Sequence, residues 1–293
     1  MVYKSNDFSC SSYDEKRLFL HFGLSSMYIN LKSHLLSLSS PVVMGILNYT
    51  EDSFYDGGRY TSRDKVLTRA KQILDEGAAI IDLGAVSTRP GAADVDEGTE
   101  CHRVLEALEW ILDAYPEALV SIDTWRAQVA REAIAAGAAM INDVSGGTFD
   151  PKMLEVVAEA QVPYCLMHTS AKPAVMQQKT HYENILAEMM QFFGKQLATL
   201  RQMGANDVII DPGFGFGKTV EQNWLILDNL KLFTTFNLPV LVGLSRKSMI
   251  YKPLGITPEE ALPATLEATK RAIANGANIL RVHDVAATCA LLK

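Results

Sequence analysis

The sequence predicts an α/β fold, a (β/α)8 TIM barrel with an N-terminal hairpin extension. From about residue 61 to the end of the chain, short apolar runs alternate with amphipathic segments. The runs are continuously apolar, as expected for parallel strands that are covered on both faces. A length of 293 residues suits one such barrel, since the fold typically needs about 250 residues. A doubly wound open sheet is the structural alternative.

Eight apolar runs are the predicted strands of the barrel. Each run has the length of a strand, and turn residues or amphipathic segments separate it from the next. In chain order they are Val42–Leu47, Ala79–Leu83, Leu119–Ile122, Ala139–Ile141, Pro163–Met167, Val208–Ile210, Pro239–Val242 and Asn278–Leu280.

Seven segments between these runs are predicted helices, because their apolar residues recur at helical spacing. A short eighth helix is expected to start near Asp284. Four of the helices are followed by a glycine and an alanine, and glycine supplies the left-handed conformation that ends a helix. The seven helices are Asp64–Glu76, Glu97–Ala114, Ala127–Ala136, Pro151–Ala160, Tyr182–Met203, Val220–Lys231 and Pro258–Asn275; the glycines are Gly77, Gly137, Gly204 and Gly276.

The N-terminal part of the chain lies outside this repeat. Residues 1–26 are predicted to be a poorly ordered extension, and residues 27–293 a single barrel domain. At the start of that domain, Met27–Leu31 and Leu35–Leu38 are predicted to pair as a hairpin within residues 27–40. The hairpin is expected to close the bottom of the barrel.

Composition and charge narrow the classes of function. The net charge of −7 and the pI near 5.4 argue against a nucleic-acid partner, whose phosphates need a basic face. No apolar run reaches the roughly 18–20 residues that span a bilayer, so no membrane partner is expected. The four cysteines show no CxxC or metal-ligand spacing, which favours a reducing, cytoplasmic location.

Polar residues follow the predicted strands. Because the carboxyl ends of parallel strands meet at one rim of a barrel, these side chains are expected to converge on an active site. Taken singly, Asp123 could be the N-cap of a helix and Asn142 could hold a turn. The residues at or just beyond the strand ends are Asn48, Thr88, Asp123, Asn142, His168, Asp211, Lys247, Arg281 and His283.

The glycine-rich segment 211–219 follows a strand and opens a helix. It is not a Walker A loop, because Pro212 stands where that motif needs glycine. Asp211 is predicted to bind substrate, and the glycines to let a ligand approach the backbone. Lys218 is expected to lie in solvent or to cap the helix.

Cationic residues near three strand ends predict an anion site. The loops after strands seven and eight of such barrels often bind phosphate, and arginine offers a planar fork for phosphate oxygens. A Schiff-base role for Lys247 is disfavoured, because the residue lies past its strand. Six histidines without an HxH or HExxH pattern argue against zinc. The clusters are Arg246-Lys247, Arg281 with His283, and Thr88-Arg89.

Five motifs resemble those of dihydropteroate synthases, in the same order along the chain. The resemblance implies a transferase of folate biosynthesis that condenses 6-hydroxymethyl-7,8-dihydropterin diphosphate with 4-aminobenzoate and releases diphosphate. It also implies Mg²⁺ as cofactor, no covalent nucleophile, competition by sulfonamides and a homodimer. The motifs are Met44-Gly-Ile-Leu-Asn48, Ser87-Thr-Arg-Pro-Gly-Ala92, Asp211-Pro-Gly-Phe-Gly-Phe-Gly-Lys218, Gly243-Leu-Ser-Arg-Lys247 and Arg281-Val-His-Asp-Val285.

The chemistry of these ligands divides the strand-end residues into two groups. A pterin edge carries adjacent N–H donors that carboxylates accept, while a diphosphate needs cations and a metal ion. His168 receives no role and is predicted to be structural. The resemblance assigns Asp123, Asn142, Asp211 and Lys247 to the pterin, Thr88, Arg89, Arg281 and His283 to the diphosphate, and Asn48 to Mg²⁺.

The chain departs from the family's pattern at loops. Tyr49-Thr50-Glu51 stands where the family usually has Val-Thr-Pro, and Ala85-Val86 where it has Gly-Glu; the segment after His168 also differs. These changes bear on aminobenzoate affinity and loop closure more than on the reaction. A pterin-binding methyltransferase barrel and a non-catalytic pterin-binding paralogue are the alternatives. The two cationic motifs after strands seven and eight speak against the methyltransferase.

Overall fold

The computed structural model describes residues 27–50, 62–86 and 95–293. Within them, a two-stranded antiparallel hairpin precedes eight strands that pair in parallel. The hairpin strands are β1 (Tyr28–Leu31) and β2 (His34–Ser37). The parallel strands are β3 (Val42–Asn48), β4 (Ile80–Gly84), β5 (Val120–Asp123), β6 (Met140–Asp143), β7 (Tyr164–Met167), β8 (Val208–Asp211), β9 (Leu241–Val242) and β10 (Ile279–Val282).

The parallel sheet closes on itself. Its strands are hydrogen-bonded in the order β8-β7-β6-β5-β4-β3-β10-β9. The two ends of this series meet at an isolated parallel bridge between Ile210 and Val240, where the Ile210 N–H donates to the Pro239 carbonyl at 2.8 Å. The predicted barrel is therefore confirmed, and the open sheet is excluded.

Helices alternate with the strands and cover the outside of the barrel. The glycines predicted to end four of them have left-handed φ angles of 96°, 105°, 83° and 99°. None of the helices in the described part of the chain is long and apolar enough to cross a membrane. The helices are α1 (Ser62–Asp75), α2 (Glu97–Ala114), α3 (Ala127–Ala135), α4 (Met153–Ala160), α5 (Ile185–Gln202), α6 (Val220–Asp228), α7 (Ser248–Leu254), α8 (Leu262–Ala274) and α9 (Val285–Leu291).

Two helical features differ from the prediction, apart from shifts of up to four residues at helix ends, as where α8 begins at Leu262 and not at Pro258. The seven-residue helix α7 was not predicted, because it is too short for a periodic signal and contains Pro253. The segment predicted as Val220–Lys231 divides into α6 and a 3₁₀ helix at Leu230–Phe236. Helix α7 begins directly after Lys247, so it shapes the loop that carries this candidate site residue.

Apolar side chains form two buried clusters. The larger one lies between the sheet and the surrounding helices, and the smaller one fills the barrel at the amino ends of the strands. Ile29, Leu31 and Leu38 of the hairpin region belong to this inner cluster, packed with barrel residues such as Met44 and Ile209. The hairpin therefore covers the end of the barrel opposite to the rim that carries the candidate site.

Candidate active site at the carboxyl rim of the barrel

Strand register places the predicted pterin residues at one rim. Asp123 pairs with Asn142 across β5 and β6, and Asp211 pairs with Met167 across β7 and β8. All three are the last or next-to-last residues of buried strands. The rim is therefore polar although the strands leading to it are apolar. Thr88 and Arg89, predicted for the diphosphate, lie outside the described residues.

Arg281 crosses the mouth of the barrel and joins two carboxylates. Its Nε donates to Asp82 Oδ2 at 2.5 Å and its Nη2 to Asp123 Oδ2 at 2.7 Å. Asn142 Nδ2 also donates to Asp82 Oδ2, at 3.1 Å. Burial by itself would lower the pKa of Arg281, but the charges of Asp82 and Asp123 outweigh it and raise that pKa. The guanidinium stays charged and holds three strands together at the site.

The second oxygens of these two carboxylates are buried without a partner in the described part of the chain. These atoms are Asp82 Oδ1 and Asp123 Oδ1. Burial raises the pKa of Asp123 to about 7, in spite of the opposing charge of Arg281. Buried carboxylate oxygens normally have donors, and a perturbed carboxyl at a rim is typical of a binding site. The rim can therefore accept N–H donors from a ligand.

Asp211 and Lys247 lie on the other side of the mouth, against the segment after β8. Asp211 Oδ1 accepts from the Gly213 N–H at 2.7 Å. Lys247 Nζ donates to the Phe214 carbonyl and lies 4.5 Å from the centre of the Phe216 ring. Burial lowers the pKa of Lys247 to about 8, opposed by the charge of Asp211. A carboxylate and an ammonium group thus share one wall of the site.

The expectation that Lys218 lies in solvent was wrong. Its side chain is only 3% exposed, and Nζ donates to the carbonyls of His168, Gly213 and Phe216 at 3.0, 2.9 and 3.0 Å. Burial lowers the pKa of Lys218 to about 7. The lysine turns inward because the glycine-rich segment wraps around it, and Thr219 takes over the capping of α6.

A cleft lies at the carboxyl ends of β3 and β10, beside α1 and α9. Its volume is about 520 Å³, and Asn48, His283, Arg246 and Arg69 are among its lining residues. His283 Nδ1 lies 3.0 Å from Ser245 Oγ, and burial lowers the pKa of His283 to about 4, so the ring is neutral at pH 7. The cleft brings the predicted magnesium ligand and one predicted diphosphate ligand to the same place.

Two arginines of this cleft are held by neighbours. Arg246, with a φ of 55°, donates to both oxygens of Asp284 at 3.0 and 2.6 Å. Arg69 of α1 donates to the carbonyl of His283 at 2.7 Å. These contacts hold the His283 carbonyl and the Asp284 side chain, while the His283 ring itself contacts Ser245.

His168 is buried among aromatic side chains. Its ring lies 5.1 Å from Phe192 in an edge contact and 6.1 Å from Tyr182. Burial lowers its pKa to about 2, so the ring carries no charge. This environment agrees with the structural role predicted for it, while its carbonyl serves as an acceptor for Lys218.

The sequence analysis missed two residues of this region, Asp82 and Arg69. It also missed that the side chain of Lys218 points inward. The signal for Asp82 is a charged residue inside the apolar run Ile80-Ile81-Asp82-Leu83, which is costly unless the charge is paired. The signal for Lys218 is the alternation of glycines that precedes it. Arg69 gives no signal, since it looks like any polar residue of an amphipathic helix.

A closed barrel with buried acceptors beside a cleft carrying cationic side chains defines an enzyme for a small, polar and anionic substrate. The chain matches the family described as pterin binding enzyme over residues 44–283, and it belongs to this family, among the dihydropteroate synthases. The family membership predicted from the five motifs is thereby confirmed.

Relatives and solved structures agree on this point. The dihydropteroate synthase of Escherichia coli (strain K12) is 43% identical over 260 residues, covering 88% of this chain and 92% of the relative. The dihydropteroate synthase of Synechocystis is 46% identical over 257 residues, covering 86% and 88%. The Xanthomonas albilineans enzyme with 4-aminobenzoic acid superposes with a TM-score of 0.85 at 37% identity, covering 92% and 96%. The Yersinia pestis enzyme in a sulfonamide drug complex superposes with a TM-score of 0.85 at 38% identity, covering 91% of this chain and 97% of the other.

Proposed function

We propose that this protein is a dihydropteroate synthase, which condenses 6-hydroxymethyl-7,8-dihydropterin diphosphate with 4-aminobenzoate. The reaction makes 7,8-dihydropteroate for folate biosynthesis and releases diphosphate. The observation that carries the proposal is the convergence of the buried carboxylates Asp123 and Asp211 at the rim, where Asp123 Oδ1, buried without a partner among the described residues, suits an N–H donor of a pterin. The 37% identical Xanthomonas albilineans enzyme, solved with 4-aminobenzoic acid, supports the second substrate.

The pterin is assigned to the wall formed by β5, β6, β8 and the loop after β9. Asp123 and Asp211 accept from the donors of its pyrimidine edge, because ionised carboxylates are acceptors only. Asn142 offers both a donor and an acceptor. Lys247 offers N–H donors to the ring carbonyl or the neighbouring nitrogen. Asp123, Asn142 and Asp211 are buried and Lys247 is partly buried, and a hydrogen bond in such a low-dielectric environment is stronger than in water.

The diphosphate is assigned to the cleft and the end of β10. Arg281 lies within the pterin wall in this structure, while His283, two residues further, reaches the cleft. Strand β10 therefore connects the two halves of the site. Thr88 and Arg89 complete this half in the proposal, on the basis of their motif alone.

Magnesium is proposed to accompany the diphosphate. The described residues hold no cluster of three or more acidic, cysteine or histidine side chains that could form a protein cage for a metal. Asn48 lines the cleft. Its amide oxygen would suit a Mg²⁺ ion whose other ligands are water molecules and phosphate oxygens. When bound, the ion supplies positive charge that stabilises the leaving diphosphate.

The protein's own residues position the reactants and need no covalent step. The bond between the pterin methylene carbon and the diphosphate oxygen breaks, and the diphosphate leaves with its electron pair. The amine nitrogen of 4-aminobenzoate forms a bond to the same carbon with its lone pair and releases one proton to solvent. The aspartates and Lys247 hold the pterin ring. His283 stabilises the leaving group from the cleft, and Arg281 contributes positive charge from the adjoining pterin wall. Holding both reactants at the rim makes the condensation effectively intramolecular.

One mixing experiment separates the three candidate functions. A synthase releases diphosphate and forms dihydropteroate in equal amounts when given Mg²⁺ and both substrates. A non-catalytic paralogue binds pterin diphosphate in calorimetry but releases none. A methyltransferase barrel instead binds methyltetrahydrofolate. For a synthase, sulfonamides are expected to raise the Michaelis constant for 4-aminobenzoate, and kinetics without such competition would count against the proposal.

A homodimer and a cytoplasmic location belong to the same proposal. Leu225, Leu232 and Leu254, on α6, the following 3₁₀ helix and α7, are large exposed apolar residues in one part of the sequence. Their exposure is consistent with an interface built on the late helices. The cysteines of the described residues, Cys101, Cys165 and Cys289, are free thiols, which is consistent with a reducing location.

A further inference from the structure

The segment 212–217, between β8 and α6, is folded around the ammonium group of Lys218. Three carbonyls accept from this group: Gly213 and Phe216 in the segment itself, and His168 at the end of β7. An ammonium group has three N–H donors, so its capacity is matched by these three acceptors. In its protonated form the lysine therefore acts as an internal cation of the loop and has no donor left for a ligand.

The backbone of the segment explains why the carbonyls converge. Gly213, Gly215 and Gly217 have left-handed φ angles of 68°, 82° and 62°. Left-handed residues at every second position turn the chain tightly, in a conformation that other residues adopt only with strain. Such a path directs the carbonyl oxygens of Gly213 and Phe216 toward the same point. Without a cation at that point, these carbonyl dipoles would repel one another.

The same segment contacts two of the proposed pterin residues. The Gly213 N–H donates to Asp211 Oδ1 at 2.7 Å, and the Phe214 carbonyl accepts from Lys247. Lys218 has no hydrogen bond to either side chain. Its acceptors Gly213 and Phe216, however, lie within two residues of the backbone groups that contact Asp211 and Lys247. Displacement of the segment would move the groups that orient Asp211 and Lys247.

We propose that Lys218 is a positioning residue, whose ammonium group holds segment 212–217 in the shape that orients Asp211 and Lys247 for the pterin substrate. This inference rests on the proposed function, because it names the pterin as the ligand that the segment serves. It assigns a role within the site to a side chain that touches no substrate.

The first test compares Lys218→Met with wild type in steady-state kinetics. The methionine fills a similar volume but removes the N–H donors that Lys218 gives to three carbonyls, of which the Gly213 carbonyl still accepts from the Phe216 N–H at 3.2 Å. We expect the Michaelis constant for pterin diphosphate to rise at least about tenfold, and that for 4-aminobenzoate to change less. Lys195→Met is the matched control, since Lys195 is exposed on α5, and it should behave as wild type.

A second test uses chemical rescue of Lys218→Ala. The missing part of the side chain corresponds to n-propylammonium, which can donate N–H groups to the carbonyls. Tetramethylammonium carries the same charge without an N–H donor. We expect n-propylammonium to raise the catalytic efficiency of Lys218→Ala several-fold, and tetramethylammonium to leave it unchanged. Lys218→Gln, which keeps two donors, should lose less than Lys218→Met.

These outcomes separate the inference from a general role in stability and from the proposed function. A purely structural role would lower the midpoint of urea unfolding while leaving the Michaelis constants of the folded variant unchanged, and that result would overturn the inference. Loss without amine rescue would overturn it as well. If the wild-type protein releases no diphosphate, the proposed function fails, but calorimetry of pterin diphosphate binding to wild type and Lys218→Met still tests Lys218.

Discussion

At the residue scale, the site depends on carboxylates whose environments differ. Asp211 is held by a backbone N–H, whereas Asp123 is held by the charge of Arg281. Asp82 is fully buried and receives both Arg281 and Asn142 on one oxygen. Asp82 therefore sets the positions of two proposed ligand-binding side chains without standing at the end of its own strand.

Replacement of Asp211 tests the pterin assignment most directly. Asp211→Ala removes an acceptor and leaves the N–H donors of the bound pterin without a partner. Since an unpaired buried donor costs about 1–3 kcal/mol, we expect the affinity for pterin diphosphate to fall about tenfold to a hundredfold. Calorimetry measures this. Asp207→Ala, at the opposite end of β8, is the control, and an unchanged affinity of Asp211→Ala would remove Asp211 from the site.

The raised pKa of Asp123 predicts a pH dependence of pterin binding. Burial raises this pKa to about 7 against the charge of Arg281, while Asp82, Glu100 and Asp143 also raise it. Below that pH the carboxyl is protonated and accepts less well, so affinity falls as the pH falls. Between about pH 8 and about pH 6 the ionised fraction drops roughly tenfold, and the affinity should follow.

Asp123→Asn should remove this acid limb, which is the fall in affinity for pterin diphosphate at low pH. Its affinity is lower than that of wild type but nearly constant over the same range. Lys247, whose pKa is lowered by burial to about 8, produces the opposite limb, because it loses its charge above that pH. If the acid limb persists unchanged in Asp123→Asn, another group is responsible for it.

At the element scale, the hairpin and the glycine-rich segment lie at opposite ends of the barrel. The hairpin turns at Lys32 and Ser33, both with positive φ, and places apolar residues of β1 in the inner cluster. The segment after β8 lies at the rim and is held by hydrogen bonds to the buried side chain of Lys218. The hairpin is thus held by apolar packing, and the segment by hydrogen bonds that also reach Asp211 and Lys247.

Two leucines of the hairpin give a matched test of its contribution. Leu31 is 0% exposed and Leu35 is 70% exposed. Leu31→Ala should lower the free energy of unfolding by about 2–5 kcal/mol, because it opens a cavity in the inner cluster. Leu35→Ala should change it little. Urea unfolding measures both, and equal effects would mean that the hairpin does not stabilise the barrel.

At the scale of the whole molecule, we expect two copies of the chain to form the proposed homodimer. Sedimentation should give twice the chain mass of 32.2 kDa. Leu254 is 57% exposed on α7, and Leu254→Glu is expected to weaken the dimer at least about tenfold, since a charge is costly at an apolar interface. Leu35→Glu, on the hairpin, should leave it intact, and a monomeric wild type would contradict the proposal.

The barrel and most of its rim were predictable because their signals are local. Strand runs, helical periodicity and the glycines after helices each lie within a few residues, and a closed parallel sheet then forces the residues after the strands to one end. Asp123, Asn142 and Asp211 could be placed at the rim for this reason. The same logic failed for α7, whose seven residues are too few to show a period.

Contacts between distant residues required the folded chain. Arg281 and Asp82 are 199 positions apart, and Arg281 and Asp123 are 158 apart, so no local pattern relates them. The inward direction of Lys218 likewise depends on the carbonyl of His168, 50 positions away. The sequence is sufficient for the fold, for the family and for the residues at the strand ends, because these follow from short-range patterns and strand order. The pairing of charges within the mouth follows only from the tertiary structure, because it arises from distances that barrel closure creates.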